Sequence, residues 1–343
     1  MSWRVVEIPE LHGFVVEWSE PGNYLLSRRN VIYRSDDLKL PFEPIGEFRA
    51  PIWRKAAGFS RLGQRLIRFS CNLVMPTANG EIFVSFDREI GVVRDGRVRR
   101  LEGLRRPCRI LRSGTAADRD GRIYFGEYFG NPEKESVHIY SYTPDDGRVE
   151  VVHTFAAGEV RHVHGIYRDK FDDSLVCLTG DADHECRMLR TRDGFATMET
   201  IGSGDESWRA VSALFSPDSM YYGTDAEYQT NSIYRFDRST GDRSELGKVS
   251  GTVFYSATFA AGKFFATTAE NAPSQVENVA GLWCVGDDEV LSSVASFDKD
   301  RWHTTLFGFG TILLPHTASP LTRLFFSIYA TRGDAKTFEL LSS

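Results

Sequence analysis

The fold turns on the reading of residues 161–202, RHVHGIYRDKFDDSLVCLTGDADHECRMLRTRDGFATMETIG. Short runs rich in Val, Ile, Leu, Tyr and Thr alternate here with Asp- and Gly-containing turn signals, and no apolar residue set recurs at helical spacing. The segment predicts four consecutive antiparallel strands joined by hairpins. Residues 209–247, RAVSALFSPDSMYYGTDAEYQTNSIYRFDRSTGDRSELG, superpose on it, with Arg209 under Arg161, Val211 under Val163, Ser212 under His164, Phe215 under Tyr167 and Asp225 near Asp181.

The same phrase recurs along the chain: a turn, an aromatic or branched run, a small residue, then an acid or polar residue. It reads GEIFVSFD at 80–87, GRIYFGEY at 121–128, DSLVCLTGD at 173–181, DSMYYGTD at 218–225, GKFFATTAE at 262–270 and TRLFFSIYA at 322–330, with a weaker copy GNYLLSRR at 22–29. The anchors Leu25, Phe83, Tyr124, Val176, Tyr221, Phe264 and Phe325 are 58, 41, 52, 45, 43 and 61 residues apart, about 50 on average. A period of that length carrying four strands per copy belongs to propeller blades. We therefore expect an all-β, seven-bladed β-propeller spanning 1–343 as a single domain, six or eight blades being the neighbouring alternatives. The expected blades cover 12–48, 60–104, 108–157, 161–203, 207–249, 251–298 and 300–342, the last closed by an N-terminal strand at 3–7 (WRVVE). The tract from Gly46 to Gln64 reads as an insertion or as irregular blade structure.

Bulk properties fit a soluble globular chain of 343 residues, 41% hydrophobic and 26% charged. The formal charge of -6 and the lack of a Lys/Arg-rich block argue against nucleic acid as a partner. Glu7 and Pro9 interrupt the N-terminus where a secretory signal needs an apolar core, and no apolar run reaches spanning length, so a cytoplasmic protein without a membrane partner is expected. The five cysteines are odd in number and contain no CxxC pair, which fits reduced thiols.

One turn carries a family resemblance. Thr191-Arg192-Asp193-Gly194-Phe195-Ala196-Thr197-Met198 resembles the Asp-box of the sialidase-like, BNR-type propeller superfamily, departing from it at Phe195 and Met198, and Tyr33-Arg34-Ser35-Asp36-Asp37 is a looser echo. In that superfamily the box is a structural turn between the third and fourth strands of a blade, so it implies fold rather than chemistry. Arg161 and Arg209 could serve as two of a sialidase's three arginines, but no N-terminal R-I-P tripeptide is present. The resemblance therefore points to the wider group of carbohydrate-active propellers, including polysaccharide lyases that use His, Tyr and Arg in the central funnel.

In such a ring, the start of each innermost strand and the end of the next strand lie on one rim. His162 and His164 begin a first strand, and period-two alternation sends both imidazoles to one face. Glu127, Tyr128, Asp181, Asp225, Glu270 and Tyr329 end second strands, while Trp208, Arg209 and His303 precede first strands. The expected catalytic set is His162, His164, Arg209, Glu127, Tyr128, Asp181 and Asp225. Arg161, Trp208, Glu270, His303 and Tyr329 are expected to bind substrate. A divalent metal ion is one cofactor candidate, with His162, His164 and Asp181 (or Glu127) as a two-histidine, one-carboxylate sphere. Three functions fit: a glycan-cleaving hydrolase or lyase acting on an acidic oligosaccharide in the funnel, a non-catalytic glycan- or protein-binding propeller, and a metal-dependent lyase or isomerase of a small molecule.

Overall fold

The computed structural model describes residues 2–260, 262–317 and 320–342. Seven four-stranded antiparallel sheets form a ring, a seven-bladed β-propeller. Blade one comprises Val15–Glu20, Asn23–Arg28, Val31–Ser35 and Glu43–Glu47, and blade two Cys71–Pro76, Ile82–Phe86, Glu89–Arg94 and Arg97–Arg100. Blades three, four, five and six follow in the same order, starting at Thr115–Ala117, Val163–Asp169, Ala210–Phe215 and Val253–Phe259. Blade seven takes Thr311–Leu313, Leu324–Tyr329 and Thr337–Ser342 from the C-terminal end and its outer strand, Trp3–Glu7, from the N-terminal end, with Trp3 opposite Ser342.

All seven repeat anchors fall on second strands and are buried, from Leu25 in blade one to Phe325 in blade seven. Their side chains fill the wedges between blades. Val176 and Leu178 of blade four, for example, pack with Ala213, Met220 and Tyr222 of blade five. The small residue of the repeated phrase has a packing cause. A Cβ on Gly126 would lie 2.3 Å from Val163 of the next blade, and one on Gly223 2.5 Å from Val253. Only glycine lets the second strand of one blade approach the first strand of the next this closely.

The pairing of first with second strands slips by one residue at the rim end in blades one, two, four, five and six. In blade four Val163 opposes Thr179 and Gly165 opposes Leu178, leaving His164 as the extra residue of a β-bulge. Glu17 holds the same place in blade one, between Val16 and Trp18. A bulge turns its extra side chain away from the pleat. The aim of His164 is thus set by the bulge, and His162 lies just before the strand, so simple alternation does not account for their meeting.

The tract after blade one is an insertion of two short helices, Ile52–Ala57 and Arg61–Leu66, lying on the rim. Arg65 is buried there, donating to Asp300 Oδ2 at 2.5 Å and to the Phe307 carbonyl at 2.6 Å, and Arg61 makes a bidentate pair with Asp334 at 2.9 Å. These contacts clasp the insertion to blade seven. Among the described residues no helix is long and apolar enough to cross a membrane.

Candidate functional site

His162 Nε2 and His164 Nε2 lie 3.2 Å apart, and each is 3.6 Å from Asp181 Oδ1. His164 Nδ1 is 2.9 Å from the Ala210 carbonyl oxygen and His162 Nδ1 is 3.4 Å from that of Phe129. A carbonyl can only accept, so each Nδ1 carries the proton and each Nε2 presents a lone pair. Two lone pairs facing each other at this distance repel unless a cation or a shared proton lies between them. A triangle with these sides has its centre about 2.0 Å from every corner, the bond length that imidazole and carboxylate ligands make to a divalent transition metal. The backbone carbonyls behind the rings are the orienting partners such ligands need. Among the described residues, His162, His164 and Asp181 are the group whose geometry fits a metal ion.

The repeat explains how Asp181 is held. Arg161 and Arg209, equivalent residues of adjacent blades, grip one carboxylate from two sides: Arg161 Nη1 reaches Oδ2 at 3.1 Å and Arg209 Nη2 reaches Oδ1 at 3.0 Å. The backbone of Asp181 sits at φ 116, a costly conformation for a non-glycine residue. Gly180 before it is required sterically, since a Cβ there would meet His164 Cε1 at 2.7 Å and Arg209 Cγ at 2.9 Å.

Arg209 also donates from Nε to Asp225 Oδ2 at 3.1 Å, so its guanidinium links the carboxylates of Asp181 and Asp225. Burial pushes the Asp225 carboxyl up, Arg209 pulls it back, and nearby Glu270 pushes it further up. Glu270 accepts from the Thr252 hydroxyl. Tyr128 closes the other side with its ring centroid 4.2 Å from that of His162. Burial pushes its phenol up to about 12, so it is a proton donor at neutral pH. The Arg161 side chain is 41% exposed, and its Nε is buried without a hydrogen-bond partner.

Eight of the expected residues thus gather at one rim: His162, His164, Asp181, Arg161, Arg209, Asp225, Glu270 and Tyr128. Four do not. Glu127 is fully buried, accepting 2.6 Å from the Tyr140 hydroxyl and 3.0 Å from the His138 amide, because its backbone still belongs to the blade ladder. Trp208 wedges between blades, its ring against Gly202 and Tyr222 with the Arg243 guanidinium 4.1 Å from its centroid. His303 is exposed at the start of the helix Thr304–Phe307. Tyr329 lies under Arg61 and Arg65, whose guanidinium carbons are 5.2 and 5.6 Å from its ring centre.

Sequence reasoning passed over Gly180 and Arg109. The latter pairs with Tyr128 through both backbone groups at 3.0 Å. The repeated phrase, a small residue before an acid or polar residue, made Gly180 findable. Nothing in the repeat marked Arg109.

The fold and these ligands define a seven-bladed propeller with a candidate metal centre at one rim. No protein-family profile matches the sequence, and no curated protein matches it. Solved structures do match the fold. A structure of an oligogalacturonate lyase in complex with manganese superposes with a TM-score of 0.60 at 12% identity, covering 99% of this chain and 93% of that one. A chain in a crystal structure of the mitotic checkpoint complex superposes with a TM-score of 0.57 at 10% identity, with the same coverage. Identities this low support the architecture alone, because propellers host unrelated functions.

Proposed function

We propose that the protein is a metal-dependent lyase that cleaves an acidic oligosaccharide by β-elimination at the rim formed by blades three to six. The observation that carries this reading is the convergence of His162 Nε2, His164 Nε2 and Asp181 Oδ1 on a centre of metal-ligand dimensions, with Arg161, Tyr128 and Asp225 around it. The manganese-bound lyase of the same architecture supports the choice of chemistry. When bound, a divalent ion would polarise the substrate carboxylate and stabilise charge that develops as the neighbouring C–H bond is broken.

The remaining roles fall to groups of this chain. The half-exposed guanidinium of Arg161 orients the sugar carboxylate. Asp225, aimed by Arg209 through one oxygen, takes the proton α to that carboxylate with the other. Tyr128, whose hydroxyl has no hydrogen-bond partner among the described residues and stays protonated, gives its proton to the departing glycosidic oxygen. Arg209 donates to the carboxylates of Asp181 and Asp225 and to the Asp181 carbonyl, and is a positioning residue.

The test is turnover of oligogalacturonate by the purified protein, followed by the ultraviolet absorbance of the conjugated unsaturated product. Product should form after loading with manganese and stop on chelation, and elemental analysis should find one ion per chain that His162→Ala removes. Metal-loaded protein that forms no unsaturated product from any acidic oligosaccharide would sink the lyase reading. Turnover that survives complete metal removal would sink its metal.

A further inference from the structure

Among the described residues eleven large apolar side chains are exposed, and six of them belong to one part of the rim: Ile52, Trp53, Phe59, Leu66, Leu306 and Phe309. The first four lie on or between the two helices of the insertion, Ile52–Ala57 and Arg61–Leu66, and the last two on or just after the helix Thr304–Phe307 that leads into blade seven. The bond from Arg65 to the Phe307 carbonyl, 2.6 Å, ties the two groups together one residue from Leu66 and one from Leu306. Phe59 is fixed at the corner between the insertion helices, where Arg29 donates to its carbonyl at 3.0 Å and sets its guanidinium carbon 5.1 Å from the ring centre. This arc follows blade one and is clasped to blade seven, across the ring from the metal ligands of blade four.

A surface insertion ordinarily turns its charges to water and its apolar face to the core. Here the arrangement is reversed. Residues 49–68 contain five Arg, one Lys and no acid, and four of those cations reach acids outside the insertion: Arg54 meets Asp87 at 2.8 Å, Lys55 meets Glu47 at 2.6 Å, Arg61 meets Asp334 at 2.9 Å and Arg65 meets Asp300 at 2.5 Å. The helix Ile52–Ala57 buries none of its residues, while Ile52 is 86%, Trp53 63% and Phe59 77% exposed. So short a helix has no stability of its own and is held from outside, by the ion pairs and by its neighbour, which approaches so closely that a Cβ on Gly63 would lie 1.8 Å from the Ala57 carbonyl oxygen. With about 200 Å² for a large side chain wholly in water, the six residues leave roughly 700 Å² uncovered. That exceeds the largest apolar patch of an ordinary monomer, about 300–600 Å², and approaches the roughly 800 Å² that each partner gives to a stable complex.

We propose that this arc is a dimer interface and that its occupant is the same arc on a second copy of the chain. Since most cations of the insertion are already matched by acids of their own chain, the surface selects an apolar partner rather than an anionic one. The partner must be apolar over a similar area. Leu40, Phe171 and Val290 sit singly in turns between first and second or third and fourth strands, on the opposite rim, and Tyr228 and Val276 in separate loops of blades five and six, so the arc itself is the matching surface. A patch that meets its own copy across a two-fold axis closes as a dimer. Because both helices are already fastened, association orders little chain. The contact lies across the ring from His162, His164 and Asp181, so both copies keep these ligands clear of it.

Sedimentation equilibrium of the full chain over a range of concentrations tests this. Wild type should sediment at twice the mass of one chain, with a dissociation constant of about 10 µM or tighter. The Ile52→Lys, Trp53→Lys double variant should raise that constant roughly a hundredfold or more, and Leu306→Lys, on a different element, should act in the same direction. At high dilution, where both are single chains, wild type and double variant should melt at the same temperature, because the altered side chains stand in water; this separates loss of the contact from loss of the fold. Raising salt should leave the association unchanged or strengthen it, since the contact is apolar and the exposed Arg49 and Arg68 repel their copies. A wild type that stays a single chain at every concentration, a double variant that still pairs, or pairing that salt dissolves overturns the proposal. So does a single-chain wild type that floats with phosphatidylserine vesicles, which would assign the arc to a lipid surface.

Discussion

Glu17 and His164 occupy the same bulge, one in blade one and the other in blade four, and the structure treats them in opposite ways. Glu17 is buried and fully matched: Arg112 pairs with one carboxylate oxygen, the Ser27 hydroxyl donates to the other, and the second amino group of Arg112 is used on the Cys71 carbonyl at 2.8 Å. His164 is equally buried, yet its Nε2 faces another acceptor, and the arginine beside it keeps an unused donor. The same backbone device makes a closed ion pair in one blade and a pair of facing imidazoles in another. The two clusters differ in their balance of donors and acceptors: the one in blade one matches every oxygen of Glu17, and the one in blade four sets Nε2 of His162 against Nε2 of His164.

That contrast can be broken from either side. The largest effect should come from His164→Ala, which removes one of three ligands: metal content should fall to background and turnover with it, while the urea midpoint moves little, since the ring's one protein donor contact is a single carbonyl. On the closed side, Arg112→Met should cost about 3–5 kcal/mol in denaturant unfolding because it leaves Glu17 buried and unpaired, and adding Glu17→Gln should recover most of that loss. A small loss from Arg112→Met alone would show the channel to be wetter than its packing indicates.

Next in size, Tyr128→Phe should lower kcat by about 10²-fold or more with KM and melting temperature nearly constant, since the deleted hydroxyl has no protein partner. The pH dependence of folding offers a smaller effect. Burial opposes ionisation of Asp300 and Asp334, but their arginine partners hold both carboxyls below the ordinary range. Their contribution is therefore complete above about pH 4, the carboxylate value in an unfolded chain, and is lost as pH falls below it. Arg65→Met should flatten that part of an acid unfolding curve. Least of all, Asp193→Ala should slightly lower the melting temperature and leave turnover untouched: Asp193 accepts from the Thr197 amide and hydroxyl at 2.9 and 2.6 Å, a turn between the third and fourth strands of blade four.

The ring was legible because its cause is periodic. A buried anchor must recur in every blade, and a small residue must follow wherever a second strand meets its neighbour, as Gly126 and Gly223 do against valines. The rim was legible only in part. Ending a second strand places a residue near the funnel, but whether it faces the funnel depends on where its side chain finds a partner: Glu127 accepts from the His138 amide and the Tyr140 hydroxyl of its own third strand, whereas Asp225 accepts from Arg209 at the site. Trp208 reads as a platform by residue type, but Gly202 and Tyr222 supply a slot that a single strand's sequence does not show. The bulge at His164 is invisible to alternation because it adds one residue to a run that otherwise keeps its period.

The seam in blade seven has a consequence for how the protein comes into being. On a translating ribosome, each of the first six blades can complete its own ladder from residues close together in the chain, but the strand Trp3–Glu7 waits with one edge bare until Thr337–Ser342 has been made. From the making of Trp3–Glu7 to the making of Thr337–Ser342 the nascent chain therefore carries an open arc of blades and an unpaired strand, the kind of edge that recruits wrong partners. Chaperone dependence should last until that strand is paired.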